Sequence, residues 1–276
     1  MKQIVNDLFF HADDFGRSPN ISKTIYTCIK KKIITSISII VSEKIYGLKY
    51  LRKTNVKKRL HLNLTDFSEK QSKKNFIYNL SFLHLLLMPL LPNFKINNKK
   101  IENEILRQIK KYKKYLKKDD VFIDGHQHIH MIPWIFNLIF DLRKKNKIVN
   151  IRIPNEIFSI NLLDLLNFSI LKNIFKYLLI KIFIYISRSK IDKIKYNYNF
   201  FGIIYSGLPN KKSLNKIILL NKKNNNSKKL EILLHPGYAT LNEKKLFKKD
   251  FFQYYVSKNR IKEFDIAKSL INKNNL

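Results

Sequence analysis

Cysteine is almost missing from this sequence: Cys28 stands alone, which excludes an intramolecular disulfide framework and any cysteine-rich zinc site. A metal, if bound, has to be held by histidine and carboxylate. Acidic residues are scarce, 20 Asp and Glu against 54 Lys and Arg, for a formal net charge of +34. No Pro-, Gly- or Ser-rich linker divides the 276 residues and no internal repeat is visible, so residues 1–276 read as one domain. Unbroken apolar runs long enough to cross a bilayer are also lacking. The stretch 75–94 holds no Lys, Arg, Asp or Glu, but Pro89 and Pro92 break it and Asn79 and His84 interrupt it. The stretch 173–187 contains Lys176 and Lys181 and falls short of the ~20 residues a span requires. Both read as buried or lid-like helices, with attachment to a membrane surface as the lesser alternative. Asn6 and Asp7 interrupt any apolar signal-peptide region in MKQIVNDLFF, so a cytoplasmic, at most membrane-peripheral, location is expected.

Hydrophobic residues at 45% and aromatics at 13% suffice for a sizeable core and exclude a wholly disordered chain. The basic excess is spread along the whole chain and comes with many Ile, Asn, Phe and Tyr residues, types that share A/T-rich codons with Lys. Composition bias therefore explains it ahead of a dedicated nucleic-acid site, and no compact basic motif of a recognised kind is present. The charge still attracts acidic partners, with a salt-sensitive reach.

Apolar runs ending in polar residues alternate with amphipathic stretches. Strands are expected at 4–12, 37–41, 60–64, 121–124, 148–153 and 230–235, and helices at 21–32, 101–117 and 133–145. Ser18-Pro19 is a helix-start signal for the first helix. Such alternation is the signature of a parallel α/β fold, and an α/β barrel of roughly 250 residues would use nearly all of the chain. The polar runs 221–229 and 272–276 read as solvated, flexible segments.

Six of the seven histidines fall near expected strand ends, where parallel α/β folds carry their active sites. Asp13-Asp14 follows the first strand. Adjacent carboxylates repel unless a cation sits between them or each has its own task, and adjacent residues of an extended segment point in opposite directions. His126-Gln127-His128-Ile129-His130 would project all three imidazoles to one side if extended, or pair His126 with His130 if helical; spacing alone does not say which of them ligates. His61 lies in the third strand, and His235 precedes Pro236-Gly237 at the end of the last. One carboxylate plus two histidines forms a facial triad with open positions for water and substrate.

The segments HADDFGRSPNIS, HLNLT, DGHQHIHMIP, RIP and LEILLHPGY, with a weaker NFFGIIYSG, span about residues 4–238 and together resemble the YdjC-like (ChbG/HpnK) carbohydrate deacetylases. The resemblance implies a distorted TIM-like β/α barrel of parallel strands and a metal-dependent hydrolase that removes the acetyl group from an N-acetylated sugar, chitooligosaccharide-like or a glycolipid. Carried over by motif, Asp14, His61 and His126 are the metal ligands, Asp13 is the general base, and His235 is the candidate acid for the departing amine. His128, His130 and Arg152 are then supporting or substrate-facing. The family implies Mg²⁺; mixed nitrogen and oxygen ligation also suits Zn²⁺, Mn²⁺ or Co²⁺. Two features depart from the pattern: His11 stands where many relatives have Asn, and Asp66-Phe67-Ser68-Glu69-Lys70 replaces a glycine-containing loop, which bears on substrate recognition. Two other functions compete: a metal-dependent amidohydrolase or phosphoesterase on another substrate, and a basic protein that binds nucleic acid or a membrane surface over a degenerate site. The intact Asp and His set disfavours the latter.

Overall fold

The computed structural model describes residues 8–41, 44–72, 75–196, 198–208, 210–223 and 228–274. Seven parallel strands, β1 (Leu8–Phe15), β2 (Ser36–Ile39), β3 (Lys57–Leu62), β4 (Val121–Gly125), β5 (Ile148–Ile151), β6 (Tyr198–Phe201) and β7 (Lys229–Leu234), form one sheet in the order β5-β4-β3-β2-β1-β7-β6. Among the described residues the edge strands β5 and β6 do not pair, and the segment that follows β5 meets β6 at one isolated bridge, Glu156 to Phe200, so the sheet curls into an incompletely closed, TIM-like barrel. The long helices are α1 (Pro19–Lys30), α2 (Phe94–Leu116), α3 (Pro133–Leu142), α4 (Phe168–Ile186), α5 (Lys211–Lys223), α6 (Lys249–Tyr255) and α7 (Asn259–Asn274).

The start of α1 follows from its sequence: the Ser18 side chain accepts a hydrogen bond from the Ile21 amide, and Pro19 sits where its missing N–H costs nothing. Ile21, Ile25 and Cys28 bury the inner face of that helix. Outward-facing strand residues such as Ile37, Ile39, Leu60 and Leu62 join Ile101, Ile105 and Ile109 of α2 in the core.

Several expectations need correction. The strand β6 was not anticipated, and α2 begins seven residues before the expected 101, absorbing the end of the 75–94 stretch. Neither apolar stretch is buried throughout. Ile170, Tyr177, Ile180 and Phe183 face inward from α4, but Phe175, Leu178 and Ile182 stand in solvent; Leu83, Leu87 and Leu90 do the same in 75–94. Of the run 221–229, residues 221–223 finish α5 and Lys229 opens β7, while 224–227 lie outside the described residues. Residues 272–274 end α7, and 275–276 lie outside. No helix among the described residues is long and apolar enough to cross a membrane.

Candidate active site

The first strand runs past Ala12 to Phe15, so Asp13 and Asp14 lie within it. The pairing with β2 breaks register between Ala12 and Phe15, and Asp14 takes a left-handed φ of 70°. A bulge of this kind re-aims side chains. It cancels the expected divergence of neighbouring residues: His61 Nε2 lies 3.8 Å from an Asp13 oxygen and 3.7 Å from Asp14 Oδ1. His126 Nδ1 is 3.4 Å from the same Asp14 oxygen. Ligand atoms of Asp14, His61 and His126 all lie within 4.8 Å of one another, and all three residues are buried.

The β3–β4 register sets His61 beside Asp124. Asp124 Oδ1 accepts from His61 Nδ1 at 2.7 Å, which directs the lone pair of Nε2 toward the two aspartates. Carboxylate–imidazole pairs of this sort commonly orient metal-binding histidines. His126, His128 and His130 adopt neither geometry considered from sequence. Gln127 and His128 take left-handed φ of 55° and 59°, and the turn His126–Met131 sends the three rings different ways. His126 joins Asp14, and His128 lines the cavity, its ring nearly perpendicular to that of Phe200. His130 packs beneath Gly125, its Nε2 2.9 Å from the Arg152 carbonyl. Burial keeps His128 and His130 neutral, His130 with a pKa of about 4.

Arg152 is fully buried and lies 3.1 Å from Asp13, 2.9 Å from Asp124 and 2.9 Å from Glu231. Burial alone would push the Asp13 carboxyl upward, but Arg152 and then His61 hold it well below the usual carboxylate range. His11 is also enclosed, bonded to Ser36 and Ser38 at 2.8 and 2.7 Å, and burial lowers its pKa to about 4. His11, Asp13 and Asp124 likewise bring ligand atoms together. Those carboxylates already face Arg152, however, and both His11 nitrogens are occupied.

The Asp14 cluster differs in the respect that matters for a cation. Asp14 Oδ1 and His126 Nε2 are buried without a hydrogen-bond partner. Asp13, Asp14, Asp66, Asp124, Glu231 and Glu263 are buried around the site with four guanidiniums, those of Arg17, Arg59, Arg152 and Arg260. More carboxylates than the arginines can neutralise, and an orphan oxygen facing two imidazoles, fit a divalent ion.

The last two helices complete the wall. Arg260 of α7 pairs with the second Asp14 oxygen and donates to the His235 carbonyl at 3.1 Å. Glu263 accepts from the backbone amides of His235 and Gly207, and its Oε2 lies 3.6 Å from His235 Nδ1. Asp66 binds Arg17 through two 2.8 Å contacts and accepts from Tyr255, so the unusual 66–70 loop buttresses the site at its first residue. Above this floor a cavity of about 680 Å³ is lined by Asp13, His61, His126, His128, Lys176 and His235. Its size falls in the range of small-molecule sites.

All eight residues singled out from sequence therefore surround one region: six reach the cavity or the Asp14 cluster, while His130 and Arg152 lie behind it. Sequence reading passed over Asp124, Arg260 and Glu263. Asp124 sits two places before His126 in the same motif and carried a local signal. Arg260 and Glu263 lie in an ordinary lysine-rich helix, where nothing local marks them.

The sequence model of YdjC-like proteins matches residues 7–274. A protein of Xenopus laevis named carbohydrate deacetylase is 25% identical over 279 residues, covering 94% of this chain and 90% of that one. Among solved structures, an Enterococcus faecalis protein described as a candidate for cellobiose-phosphate cleavage superposes with a TM-score of 0.58 at 17% identity. That match covers 94% of this chain and 89% of the other, and it is a likeness of fold. Matched over nearly its whole length, the chain belongs to the YdjC-like family.

Proposed function

We propose that the protein is a metal-dependent deacetylase of an N-acetylated sugar. The observation that carries this reading is the orphan Asp14 oxygen enclosed by His61 and His126, two histidines that line the cavity together with an ionised Asp13. Asp14, His61 and His126 would hold the ion, of which Zn²⁺, Mn²⁺ and Co²⁺ suit the nitrogen donors and Mg²⁺ is implied by family resemblance. Bound there, a divalent ion supplies Lewis-acid polarisation of a carbonyl and a lowered pKa for water. Asp13, kept ionised by Arg152, takes the proton of the attacking water. His235, on the cavity wall and backed by Glu263, delivers a proton to the amide nitrogen as the C–N bond breaks. Acetate and an amino sugar are the products. Ser169, Asn173 and Asn259 line the same cavity and offer hydrogen bonds to sugar hydroxyls.

The experiment is acetate release from a panel of N-acetylated sugars and glycolipids, by protein stripped of metal and then reloaded with Mg²⁺, Zn²⁺, Mn²⁺ or Co²⁺. Metal-dependent acetate that vanishes in His126→Ala is the expected result. Bound metal without acetate from any substrate would move the reading to a different hydrolase.

A further inference from the structure

The helix α4 has two working faces. Ser169, Asn173 and Lys176 line the cavity. On its other side Phe168, Leu171, Phe175, Leu178, Ile182 and Ile186 are exposed, Phe168 to 69% and Phe175 to 70%. Their spacing of three or four residues makes one continuous stripe about 100° wide along about 28 Å of helix. The preceding loop adds Leu163 and Leu166, the latter 87% exposed. Single exposed apolar residues are ordinary, but a contiguous stripe of this length marks an interaction surface.

A second apolar edge lies beside the same site. Leu83, Leu87, Leu90 and Leu91 are exposed in the 75–94 stretch. The helix Phe82–Leu87 and α4 both pack on the turn His126–Met131, so the two apolar segments flank the loop that carries the site histidines.

Charge selects the partner. Between Ile157 and Tyr196 the sequence holds seven Lys and Arg residues against two acids, Asp164 and Asp192, with one of the seven, Lys190, also 3.5 Å from Asp141. Lys172 and Lys181 lie along the margins of the stripe, and Arg188 and Lys190 follow it. With +34 on each chain, a second copy would meet strong repulsion, whereas an anionic surface would be attracted. An amphipathic helix with an aromatic and aliphatic face bordered by lysines is the pattern of an interfacial membrane helix. We infer that the α4 stripe docks the protein on an anionic lipid bilayer. The docking stands apart from the chemistry of the cavity and does not depend on the proposed reaction.

The test is flotation of the full chain with vesicles of phosphatidylcholine and phosphatidylglycerol in equal parts, and with vesicles of phosphatidylcholine alone. Phe175 and Leu178 are exposed and lie outside the cavity lining, so Phe175→Glu/Leu178→Glu should leave the thermal unfolding midpoint unchanged. Wild-type protein is expected on the anionic vesicles, with the bound fraction of the double variant reduced about tenfold or more. Equal binding of variant and wild type would overturn the inference, because charge alone would then suffice. Failure to float, together with a dimer in sedimentation that the double variant splits, would also overturn it and give the stripe to a second copy. A double variant with a lowered midpoint is replaced by Phe175→Ser, read in the same way.

Discussion

Asp13 and Asp14 are neighbours in sequence whose surroundings separate their tasks. Asp13 has Arg152 against it and stays ionised; Asp14 gives one oxygen to Arg260 and leaves the other bare. Asp13→Asn should therefore lower acetate release by about 10²–10⁴-fold while bound metal, measured by elemental analysis, stays at the wild-type level. Loss of metal instead would exchange the two roles. Asp124 acts through His61, and Asp124→Asn should weaken metal affinity by roughly 10–100-fold in a competition titration with a chelator. An unchanged affinity would remove Asp124 from the site. Away from the cluster, Glu156 is buried, and burial lifts its carboxyl from 4.5 to about 7 despite the backbone amides it receives. Between those values the native state holds a proton that the unfolded chain has released, so stability falls as pH rises through that window. His11, His128 and His130, held neutral by burial, act in the opposite sense below pH 6.5. The Glu156 contribution is therefore read as the stability of wild type minus that of Glu156→Gln in urea unfolding, which should fall by on the order of 2 kcal/mol between pH 5 and pH 8. The site residues were legible in sequence where histidines and aspartates crowd at strand ends. Arg260, 246 positions from Asp14, carried no local mark.

Local irregularity decides how the elements serve the site. A regular β1 would turn Asp13 and Asp14 to opposite faces; the bulge and the left-handed Asp14 bring both to His61. Gly16 supports that turn at φ 91°, and a Cβ there would lie 2.7 Å from the Ile40 carbonyl oxygen. Gly16→Ala should cost about 1–3 kcal/mol, read as a lowered denaturation midpoint. An unchanged midpoint would show that the loop tolerates other conformations. Periodicity found β2, β3, β4, β5 and β7 because each is a short apolar run ahead of polar residues. It missed β6, whose four residues Tyr198-Asn199-Phe200-Phe201 are too few to show a period before Gly202 ends the run. The turn His126–Met131 was illegible for a different reason: its left-handed residues are Gln and His, and no glycine or asparagine advertises them.

The whole molecule places a charged network where parallel barrels usually pack aliphatic layers. Arg59 holds Glu231 through two contacts of 2.7 and 3.0 Å, and Arg152 ties Glu231 to Asp13 and Asp124. Such a network is costly to bury, and it leaves a negative balance near Asp14 that a cation would relieve. The barrel class could be read from strand and helix alternation, but its polar interior could not, since Arg59 and Glu231 resemble surface residues in sequence. The C-terminal helices return Arg260 to the first strand, linking the two ends of the chain through the site. Metal-dependent deacetylation at this site, proposed above, is put to the test by following acetate from an N-acetylated sugar before chelation, after chelation and after metal is restored. Activity that is lost and then recovered in the wild type, and is absent throughout in His126→Ala, is the expected result; acetate release that survives chelation or the loss of His126 would contradict it.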